Sequence, residues 1–161
     1  MALSSSRCLV LACGNTLRED DGAGPWLAEW AEERFRNEAG VRVVSRQQWT
    51  PELAEEIAGA EDVLFIDCSA NSAPGLVCLA PVTPSTHSPR LLGHQLSAAD
   101  LLALGRELYA SLPRQALLLT IGAGSTELGE KFSPAVTVAL PDACRLIEET
   151  VLRLLTGPEL G

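Results

Sequence analysis

Residues Leu9–Gly24 read LVLACGNTLREDDGAG, and this stretch decides the fold. An apolar run, Leu9 to Cys13, has the make-up of a buried strand. It ends at Gly14-Asn15, a turn pair, and after two adjacent acids, Asp20 and Asp21, the residues Gly22 and Gly24 lead into a helical pattern. A strand, a turn and a helix start make the corner at which open α/β sheets place their ligands. Two carboxylates are the wrong charge for a phosphate cradle, because a helix N-terminus already attracts anions. They suit a cation.

The pattern continues outward from this corner. Cys8–Cys13 is the first strand. Trp26, Leu27, Trp30, Ala31 and Phe35 recur at helical spacing and predict a helix over Gly24–Arg36, with Glu29, Glu32 and Glu33 on its wet side. Val41–Ser45 is a second strand. Thr50-Pro51 reads as N-cap and first helical position of a helix running to Ala58. Asp62–Asp67 is a third strand, an apolar run of the kind covered on both faces. Leu76–Ala80 is a fourth. Ser97 caps a helix over Ala98–Tyr109, Gln115–Ile121 is a fifth strand, and Ser133-Pro134 opens a last helix over Ala135–Leu155, with irregularity expected near Pro141. Alternating strands and helices predict a three-layer α/β sandwich: a mostly parallel, twisted sheet of about five strands with helices on both faces.

Composition narrows the functional classes. A chain of 161 residues that is 47% hydrophobic has the size and apolar content of a single domain, residues 1–161, with a real core. The formal net charge of -9, without a basic patch, argues against nucleic-acid binding. Cys8, Cys13, Cys68, Cys78 and Cys144 are odd in number and form no CxxC pair, which argues against a zinc site or a disulfide framework. They read as free, mostly buried thiols of a cytoplasmic protein. Met1–Ser6 is short and polar, so no secretory signal is expected, and no apolar run has the ~20 residues a membrane span needs. A monomer is expected.

Polar residues from three places converge on one sheet edge. In a parallel sheet the C-terminal ends of strands 1 and 3 lie together, bringing Asp20 and Asp21 towards Asp67. His94 follows in the loop before the Ser97 cap. One imidazole and two carboxylates form an open site for a divalent transition metal. Singly, each has an ordinary use: Asp20 or Asp21 as a helix cap, Asp67 as a turn former, His94 as a helix-start residue. His87 reads as a loop residue, and Cys68 as a thiol without a His/Asn pair to activate it.

Taken together and in order, these residues resemble the hydrogenase maturation proteases, endopeptidases that trim the C-terminal tail of nickel-iron hydrogenase large subunits. The family opening, a strand followed by G-N-x-L-x-x-D-[DE]-x-x-G, is matched without a break by Gly14 to Gly24. An apolar strand ending in Asp and followed by a Pro-Gly turn is matched by Leu64–Asp67 with Pro74-Gly75. A His before a helix with a Leu-Leu pair is matched by His94 and Leu101-Leu102. A glycine loop with a Phe-Ser-Pro helix start is matched by Gly129 and Phe132-Ser133-Pro134. The resemblance spans nearly the whole chain.

It implies that Asp21, Asp67 and His94 form the metal-contacting and catalytic set, with Asp20 supporting the turn. The nickel is supplied by the substrate, the immature large subunit, and no further cofactor is expected. Two segments depart from the family: Arg46-Gln47-Gln48-Trp49 where many members have Gly-Gly-Thr, and Gly122-Ala123-Gly124-Ser125 where many have Gly-Ile-Gln-Pro. Both are expected near the substrate tail. Two rivals remain at this point. One is a non-catalytic, nickel-sensing assembly chaperone for the same subunit. The other is a nucleotide-binding domain using Gly14, Gly22 and Gly24, which lacks GxGxxG and GK[ST].

Overall fold

The computed structural model describes residues 6–86 and 95–157. The chain runs β1 (Ser6–Cys13), a short 3-10 turn (Glu19–Gly22), α1 (Ala23–Arg34), β2 (Val41–Arg46), α2 (Leu53–Ala58), β3 (Ala60–Ser69), β4 (Val77–Pro81), α3 (Ala98–Tyr109), β5 (Gln115–Gly122) and α4 (Pro134–Thr156). Five strands form one sheet in the order β2-β1-β3-β5-β4. The first four in that order are parallel. β4 runs antiparallel along the edge of β5.

Side-chain alternation along β1 explains the layers. Cys8, Val10 and Ala12 face α1 and α4, and pack with Leu64, Ile66, Leu119 and Ile121. Leu9, Leu11 and Cys13 face α2 and α3, and pack with Val63, Phe65, Leu53, Ile57 and Leu101. Leu9, Leu11, Leu64, Phe65 and Ile66 lose all contact with solvent. β1 and β3 therefore form the centre of the sheet, and their C-terminal ends are held rigidly side by side. β4 is short, half exposed and ends in Pro81, as an edge strand does when it must not recruit another chain.

The sandwich expected from the sequence is the one observed. Two local readings change. Thr50 does not cap α2: Leu53 N donates to Thr50 O at 3.1 Å and Ala54 N to Pro51 O at 3.1 Å, so a tighter turn precedes the helix and Glu52 is its N-cap. The last helix shows no break at Pro141 and runs continuously to Thr156. Both Pro141 and Thr137, the residue whose carbonyl Pro141 leaves unbonded, are exposed, so water takes the missing donor's place.

α3 starts as its sequence dictates. Asp100 N donates to Ser97 Oγ at 3.1 Å, and Ser97 N donates back to Asp100 Oδ2 at 2.9 Å. This capping box satisfies two amides that the helix itself leaves unbonded. Ser97→Ala is expected to lower unfolding free energy by about 1 kcal/mol, read as a lower urea midpoint at unchanged slope.

Candidate functional site

Adjacent parallel pairing of β1 and β3 puts Cys13 beside Asp67 at the C-terminal edge of the sheet. Cys13 Sγ donates to Asp67 Oδ1 at 3.4 Å, and Cys68 N donates to the same oxygen at 2.8 Å. Asp21 reaches this edge through the turn after β1. Asn15 N donates to Asp21 Oδ2 at 2.7 Å, and Asn15 Oδ1 accepts from Leu17 N at 2.9 Å, so the asparagine shapes the turn and aims the acid at once. The glycines serve packing. A Cβ on Gly14 (φ +154°) would lie 1.9 Å from Asp21 O, and one on Gly24 would lie 2.2 Å from Cys13 O. Their absence of side chain lets the start of α1 rest on the end of β1, which accounts for Gly14 and Gly24 without a nucleotide.

Asp21 and Asp67 line one cleft of about 570 Å³, together with Cys13, Cys68, Arg18, Trp49 and Gln95. His94 lies outside the described residues, as does His87; the described chain resumes at Gln95. Among the described residues, no three His, Cys, Asp or Glu side chains are arranged to hold a metal ion. Two carboxylates therefore come together here.

Asp20 has a different role from its neighbour. It is fully buried and accepts four hydrogen bonds: from Gly124 N at 2.7 Å, Ser125 N at 3.0 Å, Ser133 N at 2.7 Å and Ser133 Oγ at 2.7 Å. Burial pushes its pKa up, but these bonds outweigh it and hold the carboxyl below the usual carboxylate range. Ser133 also accepts from Val136 N at 3.4 Å as the N-cap of α4, so the anion sits where a helix start favours negative charge. Neither acid caps α1, whose N-cap is Gly22. Gly124 and Ser125 donate to Asp20, and Thr126 of the same loop lines the cleft.

Burial raises the pKa of Asp67 to about 6, against the lowering effect of its bonds from Cys13 and Cys68 and with a further push from the charge of Asp21. Its folded value thus lies above its unfolded one of about 4. Between those values the native state binds more protons than the unfolded chain, so stability falls as pH rises from about 4 to 6 and then levels off. In Asp67→Asn this part of the profile is expected to vanish. Wild type and variant should converge near pH 4 and differ by on the order of 2 kcal/mol at pH 7 in chemical denaturation of the metal-free protein. Parallel curves over that range would contradict the assignment.

The thiols are inert by the same physics. Burial, helped by the charges of Asp21 and Asp67, pushes Cys68 up to about 12, and burial with the Asp67 charge pushes Cys13 higher still. At neutral pH both are protonated and poor nucleophiles. All five cysteines are free, but fewer are buried than expected: Cys8 and Cys13 are, Cys68 and Cys144 are half-buried, and Cys78 is exposed. Sequence reasoning missed two contributors: Cys13 as a donor to Asp67, and Ser133 as the residue that grips Asp20. Only the Ser-Pro helix start hinted at the second.

No protein-family model matches the chain. It is 28% identical over 158 residues to the hydrogenase expression/formation protein HupM of Azotobacter chroococcum mcd 1, covering 87% of this chain and 73% of that one. Its fold is similar to that of the hydrogenase maturating endopeptidase HybD from E. coli (TM-score 0.71, 21% identity, 91% of this chain and 93% of that one). It is also similar to the [NiFe] hydrogenase maturation protease HybD from Thermococcus kodakarensis (TM-score 0.60, 25% identity, 89% and 98%).

Proposed function

We propose that this chain, by motif, fold and relatives one of the hydrogenase maturation proteases, is an endopeptidase that removes the C-terminal tail of a nickel-loaded hydrogenase large-subunit precursor. The observation that carries the reading is the meeting of Asp21 and Asp67 in one open cleft at the C-terminal edge of the sheet. A half-buried carboxylate in the same cleft as a second one is poorly solvated and is relieved by a divalent cation. The nickel in this reading belongs to the substrate, and Asp21, Asp67 and His94 are the residues that meet it.

Each part of the chain then has a task. The Asn15 amide and the Cys13 and Cys68 donors fix the two carboxylates before the substrate arrives, so little reorganisation is left for the reaction. Nickel carried by the precursor would be met by Asp21, Asp67 and His94 and would supply Lewis acidity at the scissile peptide. The cleft walls hold the tail across that point. The protonated thiols beside it support hydrolysis by water over attack by cysteine. Among the described residues no helix is long and apolar enough to cross a membrane.

The test is incubation of the purified protein with a nickel-loaded large-subunit precursor beside a nickel-free one, followed by mass measurement. Loss of one C-terminal peptide from the loaded sample alone is the expected result. Stable binding without a change in mass would replace the protease reading with that of an assembly chaperone.

A further inference from the structure

Trp49 lines the cleft that holds Asp21 and Asp67, and the residue is only 6% exposed. It packs edge-on against Phe65, with ring centroids 5.5 Å apart at 69°. That contact accounts for the apolar body of the side chain. It does not account for the indole N–H. Among the described residues Nε1 is buried and has no hydrogen-bond partner. A buried tryptophan normally finds one, because a stranded donor has given up water for nothing. Leu96 and Leu118, which pack in the same cluster, offer no side-chain acceptor, and the acceptors of Asp21, Asp67, Gln95, Ser97 and Thr126 along the cleft do not bond Nε1.

We infer that the Trp49 indole N–H is a positioning donor for the substrate tail, bonding a backbone carbonyl of the segment that lies in the cleft. This rests on the proteolytic reading above and adds a recognition element to it. An indole nitrogen only donates, so its partner is an acceptor. In a cleft lined by Asp21, Asp67 and Arg18, the acceptor that an extended peptide presents at every residue is its backbone carbonyl. Nε1 has no exposed surface in the free chain, so the bond forms as the wall shifts on docking. Ser45 to Gln48, immediately before Trp49, are exposed. Such a bond favours docking of the tail equally before and during bond cleavage, so it acts on KM rather than kcat.

Two readouts test this. In the 15N-labelled wild-type chain, the Trp49 indole resonance is identified by its loss in Trp49→Phe. On addition of a peptide carrying the precursor's C-terminal tail and the residues before it, that resonance is expected to move downfield, with those of Trp26 and Trp30 unmoved. In processing assays with the nickel-loaded precursor, Trp49→Phe keeps an aromatic ring against Phe65 and is expected to raise KM by roughly ten-fold with kcat unchanged. Binding of the peptide without a shift at Trp49, or an unchanged KM in the variant, overturns the role of Trp49 while leaving the protease intact. A fall in kcat and thermal stability together, at unchanged KM, marks a purely structural residue and overturns it as well. A wild-type chain that neither binds nor cleaves the precursor overturns the proteolytic reading and this inference with it.

Discussion

Asp67→Asn is expected to abolish tail removal in a chain that is more stable than the wild type at neutral pH. Asparagine keeps the oxygen that accepts from Cys13 Sγ and Cys68 N, so the local geometry survives. It removes a charge that burial and the neighbouring Asp21 make costly, as the raised pKa of about 6 records. What is lost, on the proposed function, is the negative charge that Asp67 would offer to the substrate's metal. A loss of at least ~100-fold in kcat/KM is expected, since a group aimed at developing charge in a partly dry site is worth about 3 kcal/mol or more. Measuring both kcat/KM and the urea midpoint at pH 7 separates the two effects. Normal processing by this variant removes Asp67 from the site; a drop in both quantities makes it a structural residue. The pairing of higher stability with lost activity is the usual mark of a group held in an unfavourable place for function.

Asp20→Ala has the largest expected effect on stability. Its carboxylate is the shared acceptor for two loop amides and for both the amide and hydroxyl of Ser133. Alanine leaves these donors facing an empty, dry space. Each stranded donor costs about 1–3 kcal/mol, less whatever water enters, so a total loss of about 3–4 kcal/mol is expected. That is a large fraction of the 5–15 kcal/mol typical of a domain. Asp20→Asn should lie between, because it keeps one acceptor oxygen but turns an NH2 group towards donors. The order wild type, Asn, Ala in thermal midpoint checks the argument. Equal midpoints for all three would mean that the 124–133 loop does not depend on this anion.

The depressed pKa adds a sign to this. A carboxyl held below its unfolded value contributes stability that is complete above about pH 4 and is lost as pH falls through the lower, folded value. Asp20 therefore acts in the acid range, in the opposite sense to Asp67.

The adjacent acids show where sequence reasoning succeeds and where it stops. Apolar runs of strand length, broken by turn residues and interleaved with a helical period, are local signals, and they were sufficient for the sandwich and for the Ala98–Tyr109 helix with its Ser97 cap. The antiparallel direction of β4 is not a local signal: it follows from the short turn that leads from β3 into an edge position. The family motif singled out the second acid of the pair for a ligand role, but only the fold displays what distinguishes the two. Asp20 and Asp21 are neighbours in a 3-10 turn, so their side chains leave in different directions, one into the 124–133 loop and one into the cleft. Partners 104 to 113 residues away cannot be read from the DD pair itself. The same holds for Trp49, visible as a bulky departure in sequence and as an unpaired donor only once its surroundings are known.

The reach of the Asp20 bonds bears on when the protein becomes competent during synthesis. The motif residues of the cleft emerge early, but the turn that carries them is completed by Gly124, Ser125 and Ser133. A nascent chain that stops short of Gly124 has both acids but none of the donors that hold Asp20. Closing so long a loop is entropically costly and is deferred until β5 has joined the sheet. The order of events on the ribosome thereby defers completion of the turn that carries Asp21 until about four-fifths of the polypeptide has been made.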